Sequence, residues 1–431
     1  MKKLTVLLFV FLLVLSSIMA CSGQPGSQPA AQSTTQSTAQ PLTQPVAQST
    51  TTGNTSTAAS LVESTSASVA PVTAVSETSQ FGNEDSETRT IVDTMGREVT
   101  VKKNVESIIA IPWPWTSFVF AVDGSADKIM SMSQTALDSY KNCMFQVLAP
   151  GLGNPDTGYM DDKNPDGGSF GTLNIEELAK INPDLVIIYK RDADKMLPIL
   201  ESAQIPTVVF DFGGLKEVQD GMMILGEILG EQQLKNAQTN AAWHHETDVL
   251  LQERLGSLTE DEKPSVLHLS SGDLRLNNSG FNNNMILQSG GVNAAIGEDG
   301  KLVSGADANF EQILRWDPDY IILGNFADHK PDEIYDNIMA NQDWSQLKAV
   351  KNKHVYKIPM GLYRWDAPNT EAHLLLRWQA KLLHPELLAD VKLEEKIQEF
   401  YKVLFDHTVT EEELDMIFHA DLNARSAAFR E

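Results

Sequence analysis

The chain has 431 residues and a formal charge of −25, with 58 acidic side chains against 33 Lys and Arg. That balance disfavours nucleic acid and anionic membrane surfaces as partners, since both reward clustered Lys and Arg. A chain of this length can build more than one lobe around a sizeable core.

The opening, MKKLTVLLFVFLLVLSSIMAC, sets two lysines before an apolar run from Leu4 to Leu15 and small residues before Cys21. This is the order of a bacterial lipoprotein signal, and the run falls short of the about 20 apolar residues of a spanning helix. Residues 1–20 are expected to be the signal peptide and Cys21 the acylated first residue of the mature chain, placing the protein outside the cytoplasm on a lipid anchor. Residues 21–88 are mostly Ser, Thr, Gln, Ala and Pro, too poor in large apolar groups to offset their ordering entropy. They are expected to form a flexible tether with a reach of roughly 40 to 50 Å. With Cys21 acylated, only Cys143 remains, so no intramolecular disulfide is expected and the body must be held by its core.

The body opens with TIVDTMGREVTVKKN, whose alternation around Met95-Gly96 predicts a small hairpin. Short apolar strands are predicted at Ser107 to Ile111, Lys128 to Met132, Leu185 to Ile188 and Thr207 to Phe210, with helical patterns between several of them. Such alternation favours an α/β fold with a mainly parallel sheet covered on both faces. No proline interrupts the chain between Pro206 and Pro264, and Glu231 to Leu255 is rich in helix formers, with Leu234, Ala237, Ala241, Leu251 and Leu255 near one face. One long helix of roughly 35 to 40 Å is predicted there. Strands resume at Ser265 to Leu269, Tyr320 to Leu323 and His354 to Ile358. The expected plan is lobe one over 89–222, a linking region with the long helix over 223–260, lobe two over 261–405, and a helical extension over 406–431. In the extension, Thr408 or Thr410 precedes an acidic first turn and reads as a cap.

Each lobe carries a version of the same stretch. NIEELAKINPDLVII, Asn174 to Ile188, recurs as NFEQILRWDPDYIIL, Asn309 to Leu323, with Glu176 matching Glu311 and Pro183-Asp184 matching Pro318-Asp319. A βα building block explains the apolar positions and the Pro-Asp stop, and a glutamate in a first helical turn is favoured by the dipole. It does not require that glutamate to recur at one offset in both lobes.

TIVDTMGREVTV, SIIAI, LNIEELAKINPDLVIIY, QSGGVNAAI, FEQILRWDPDYIIL and DWSQLKAVKNKHVYKIP occur in an order that resembles the family of binding proteins for iron complexes and vitamin B12, extracytoplasmic partners of ABC importers. The likeness runs from Thr90 to about Glu386. It implies two Rossmann-like lobes joined by a single rigid helix, with the ligand cleft between them. It also implies that Glu176 and Glu311 dock onto arginines of the permease dimer, one per subunit, with Glu177 the near alternative in lobe one. Phe170 matches a cleft aromatic of the B12-binding relatives.

Ligands of open α/β sheets bind outside the carboxyl ends of the strands. After SIIAI comes PWPWTS, whose two prolines predict an irregular loop carrying Trp113 and Trp115. Two readings stand for these tryptophans and for Phe170, caps of lobe one's core or rings stacked on ligand. Other strand ends supply Tyr189, Lys190 and Arg191, then Ser270, Ser271 and Arg275, and finally Tyr363, Arg364 and Trp365. Arg364 between two aromatics is the favoured anion-binding group, a lobe-bridging role being the alternative. The mixture suits a ferric chelate of the siderophore type, with corrinoid, haem and a molybdate-type oxyanion as competitors. No intrinsic cofactor and no protein-held metal is expected, because the histidines, His244 and His245 among them, lack metal-ligand spacing. An enzyme is not expected either, for want of a nucleophile motif, phosphate loop or metal box. The expected partners are a small-molecule chelate, the membrane through the lipid, and a permease with its ATPase, engaged by a monomer.

Overall fold

A computed structural model of the chain describes residues 87–430 except 112–113, 133–136, 138–139, 142, 153–160, 163–171, 174, 212–213, 271–273, 278–279, 304–307 and 326–330. Cys21, Trp113, Phe170, Ser271 and the expected signal and tether therefore lie outside the described residues. The hairpin is β1 (Thr88–Val92) against β2 (Glu98–Lys102), with Ile91 opposite Val99 and Gly96 at φ +76° in the turn, a backbone region that glycine enters without cost. The remaining elements of lobe one are β3 (Ile108–Ala110), α1 (Pro114–Asp123), β4 (Ile129–Met132), α2 (Met144–Leu148), the short antiparallel pair β5 (Asp161–Asp162) and β6 (Thr172–Leu173), α3 (Ile175–Ile181), β7 (Leu185–Tyr189), α4 (Ala193–Ser202), β8 (Thr207–Phe210) and α5 (Leu215–Leu229). After α6 (Glu231–Leu255) come β9 (Ser265–Leu269), α7 (Gly280–Gln288), β10 (Val292–Asn293), α8 (Phe310–Trp316), β11 (Tyr320–Leu323), α9 (Pro331–Ala340), α10 (Lys348–Lys351), β12 (Val355–Lys357), α11 (Ala372–Leu383), α12 (Leu393–Phe405), α13 (Glu411–Ile417) and α14 (Ala420–Asn423).

Both lobes build one topology. The first sheet runs β4-β3-β7-β8 and the second β10-β9-β11-β12, all parallel. In each, the first strand in sequence lies between the second and the third, and the central strands β3, β7 and β11 are continuous apolar runs because both faces are covered. The repeated stretch forms the helix and third strand of each sheet. Its Pro-Asp has a shared structural task. Asp184 Oδ2 accepts from the backbone N of Ser107 at 3.2 Å, and Asp319 Oδ2 from the backbone N of Ser265 at 2.9 Å. The serine side chains answer by accepting from the backbone N of Asp184 and Asp319, at 2.9 and 3.0 Å. Each aspartate thus staples the start of the third strand to the start of the first.

Helix α6 touches α1 and α5 of lobe one and α11 of lobe two. Its inner face is more polar than the sequence suggested. Ala237, Leu251 and Leu255 are buried, but so are Asn240, Trp243, His244 and Thr247, while Leu234 and Ala241 are half-buried. The polar groups are accommodated by bonds to lobe two: Asn240 Nδ2 donates to Thr370 O at 2.9 Å and Arg377 Nε to Thr247 Oγ1 at 2.9 Å. One continuous apolar core includes β3 and β8, α1, α5, α6, β11, β12, α11 and α12, and one satellite cluster lies on the other face of each sheet.

The C-terminal segment beyond α12 packs on lobe two. Thr410 caps α13 in a reciprocal box with Glu413, and the segment covers β12, an edge strand of its sheet. Asn423, fully buried, accepts from Lys357 N at 2.8 Å and donates to Lys357 O at 2.8 Å and Phe418 O at 2.7 Å. Its amide replaces a neighbouring strand, which is how a sheet edge is kept from pairing elsewhere. Tyr356 Oη donates to Ala427 O at 2.7 Å, and Met360 N to Ile417 O at 2.9 Å.

Candidate functional site

The carboxyl end of lobe one's sheet carries Tyr189, the last residue of β7, with Lys190 and Arg191 directly after it. Tyr189 is half-buried, and the Arg191 guanidinium lies 5.1 Å from its ring centroid. Burial pushes the Tyr189 phenol up, Arg191 opposing. Arg191 also meets Asp192 at 3.1 Å, and Lys190 Nζ meets Asp211, which follows β8, at 2.6 Å. Trp115 requires a correction: it stands in the first turn of α1 rather than on an irregular loop, because Pro114 opens the helix, where its missing N–H costs nothing. The indole is fully buried, edge-on to Phe118 and Phe210 at 4.9 and 5.2 Å, so its ring serves lobe one's core.

Lobe two supplies the more enclosed half. After β9 the chain turns back on itself, Leu269 bridging Leu276 and Ser270 N bonding Arg275 O at 2.8 Å, which leaves the Arg275 side chain exposed. After β12 the whole run from Val355 to Ala380 is buried. Tyr363 and Trp365 are both inaccessible, which removes their rings from the accessible wall where ligand stacking was expected. Tyr363 lies 5.5 Å from Tyr140 of lobe one, and Met144 N donates to Gly361 O at 3.0 Å, so this loop is part of the joint between the lobes.

Arg364 is 3% exposed and its Nε stands 3.0 Å from Asp366 Oδ1. The sequence reading passed over Asp366, although an acid two residues after an arginine in a loop is a simple signal for such a pair. Asp366 Oδ2 accepts from Asn325 N at 3.1 Å and Asn277 Nδ2 at 3.4 Å, and Asn282 Nδ2 donates to Asp366 O at 3.0 Å. Gly324, directly after β11, permits this approach, since a Cβ there would lie 2.5 Å from Asp366 Oδ2. His268, near the end of β9, is also buried, and its Nε2 has no hydrogen-bond partner among the described residues. Burial lowers its imidazole to about 4, with Asp366 opposing and Arg364 reinforcing the shift, so it is neutral at physiological pH.

The loop that bears Arg364 is pinned from beneath. Glu371, fully buried at the start of α11, accepts from Leu362 N and from Tyr401 Oη, each at 2.7 Å. Burial raises its carboxyl to about 7, against those hydrogen bonds. Cys143 lies beside the same loop, Sγ 3.7 Å from Leu362 O, and burial pushes its thiol up to about 12. Among the described residues no group of three His, Cys, Asp or Glu side chains is placed to hold a metal ion.

Glu176 and Glu311 both stand exposed in the first turn of their helices, α3 and α8. Neither makes an ion pair or hydrogen bond with the described residues, whereas Glu177 is held by Lys180 at 3.0 Å.

The profile of the family described as "periplasmic binding protein" matches residues 152–361. A solved periplasmic solute binding protein from Veillonella parvula is 35% identical, with a TM-score of 0.68 over 78% of this chain and 98% of that one. The molybdate-binding protein MolA of Haemophilus influenzae is 24% identical, covering 74% of this chain and 91% of its own. The haem uptake protein IsdE of Staphylococcus aureus is 25% identical over 46% of this chain and 68% of its own length.

Proposed function

This chain belongs to the periplasmic binding protein family and is the solute-binding component of an ABC importer, and from that premise we propose that its cargo is a ferric chelate of the siderophore type. The observation that carries the reading is the pairing of aromatic and guanidinium groups at the carboxyl end of lobe one's sheet, Tyr189 with Arg191, facing the same task as Arg364 in lobe two. Rings of a chelate stack on such surfaces and its oxygens accept from guanidinium N–H groups. Protein purified from its own host should carry a ligand-to-iron charge-transfer band. Titration with ferric chelates, a corrinoid, haem and molybdate, followed by tryptophan fluorescence, decides between cargoes. Arg364→Ala should weaken an anionic ligand by about 1.5 to 3 kcal/mol. Unchanged affinity removes Arg364 from the site, and no response to any ferric chelate sinks the cargo assignment. A molybdate-type oxyanion is the second reading, favoured by the length of the match to MolA.

Delivery follows the duplicated glutamates. Glu176 and Glu311 are exposed and unengaged at equivalent places in two lobes of one topology, as a surface facing two identical permease subunits requires. Reversing both to Arg should abolish import while leaving melting and ligand affinity nearly unchanged, because exposed carboxylates affect stability by only about half a kcal/mol. Normal uptake by the double variant would reduce the repeat to two related building blocks. Attachment is assigned to acylated Cys21, outside the cytoplasm. Processed, membrane-retained Cys21→Ser protein would overturn that assignment.

A further inference from the structure

Three of the cations that the strand ends bring to the cleft are each matched by a carboxylate. Lys190 meets Asp211 at 2.6 Å, Arg191 meets Asp192 at 3.1 Å and Arg364 meets Asp366 at 3.0 Å. Arg275 is not free either. The first two pairs are half-exposed and screened by solvent. The third is not: its side chains are 4% and 0% exposed. Asp366 also cannot turn aside to release Arg364. Its Oδ2 is held by Asn325 N and Asn277 Nδ2, its carbonyl by Asn282, and Gly324 keeps β11 close against it. The neighbouring His268 is a buried neutral imidazole and adds no charge.

A small dianion approaching Arg364 loses its hydration and meets an ion pair with Asp366 rather than a free cation, which is the costly way to bury charge. A bulky complex of low net charge loses little hydration, and it still gains from the guanidinium N–H groups and the aromatic surface. We propose that Asp366 is the specificity-determining residue of the cleft: by neutralising Arg364 it selects chelates of near-zero net charge and rejects molybdate-type dianions. The inference deepens the assignment of the chain as a solute-binding component and rests on it.

The test uses the whole protein with two probes, sodium molybdate and an uncharged ferric trihydroxamate, titrated by calorimetry into wild type, Asp366→Asn and Asp211→Asn. Wild type should show no saturable molybdate binding below about 0.1 mM, where a specific oxyanion receptor would be saturated. A dianion about 6 Å from one carboxylate is repelled by about tenfold in affinity even at the dielectric of water. Asp366→Asn should therefore raise the ratio of molybdate to trihydroxamate affinity at least about tenfold, and Asp211→Asn should raise it less and lose the gain in high salt. A merely structural Asp366 would lower both affinities together and leave the ratio unmoved. Micromolar molybdate binding by wild type, or an unmoved ratio in folded Asp366→Asn, overturns the proposal. Should Asp366→Asn not fold, the wild-type titration decides alone, micromolar molybdate binding overturning the proposal and its absence beside trihydroxamate binding upholding it. Failure of the parent assignment is read separately, as unimpaired ferric chelate import in cells lacking the chain.

Discussion

Asn423→Ala tests whether the C-terminal segment holds lobe two's sheet. The asparagine is fully buried, and its amide satisfies both backbone groups of Lys357 and the carbonyl of Phe418 at 2.7 to 2.8 Å. Alanine removes the partner and leaves the edge-strand N–H and C=O in a buried place. Each such orphan costs about 1 to 3 kcal/mol, so a loss of about 2 to 4 kcal/mol is expected after some relief from water. Urea unfolding followed by circular dichroism should show the midpoint lowered by about 1 M or more with the slope unchanged, as for a pure stability effect. Amide exchange should quicken first at Lys357 and Ile358. Because Met360 N is bonded to Ile417 O in the same segment, the loop leading to Arg364 should loosen too. A variant within about 0.5 kcal/mol of wild type, with exchange at Lys357 unchanged, would refute the reasoning and leave the segment as a passive cover.

Three further outcomes follow from buried titratable groups. Burial holds the His244 imidazole at about 4, below its ordinary 6.5; the unfolded chain takes up a proton between those values and the native chain does not, so stability falls as pH drops through that window, by up to about 3 kcal/mol. His244→Gln should flatten that limb in urea titrations from pH 7.5 to 4.5, and parallel curves for the two proteins would exclude His244 as a source of the slope. Glu371 acts in the opposite sense: its carboxyl is raised from 4.5 to about 7, the native chain binds the extra proton, and stability falls as pH rises through that range by up to about 3 kcal/mol. Glu371→Gln should remove this loss, so that its stability relative to wild type improves between pH 5 and 8; a constant difference would show that the carboxyl does not titrate there. Cys143, inaccessible and with its thiol pushed up to about 12, should react with an aromatic disulfide reagent only after unfolding, and immediate labelling of native protein would show that the joint beside Leu362 opens.

The order of elements was legible because local patterns carry it. Strands such as Leu185–Tyr189 and Tyr320–Leu323 are apolar runs ended by turn residues, and the long helix is bounded by Gly230 and Gly256. The repeated Pro-Asp was legible as a repeat, but its task was not. Only the folded chain shows that each aspartate reaches back to a serine at the start of another strand, Ser107 or Ser265. Trp115 was misplaced because proline is a helix breaker in the interior and a good first residue at the start, and the sequence does not say which applies.

Taken alone, then, the sequence determined the two α/β lobes, the linking helix, the exposed Glu176 and Glu311, and the set of residues that end each strand. Those properties depend on hydrophobic period and turn chemistry within a few residues. The tertiary structure decided which of those residues remain accessible and what charges they meet. It buried Tyr363 and Trp365 in the joint between lobes, matched Arg364 with Asp366, and brought Asn277 and Asn325 onto that carboxylate and Asn282 onto the Asp366 carbonyl. Arg364–Asp366 and Arg191–Asp192 are neighbours in the chain, but the net charge of the site also counts groups far apart in sequence, as Lys190 and Asp211 are, and only the fold brings those together.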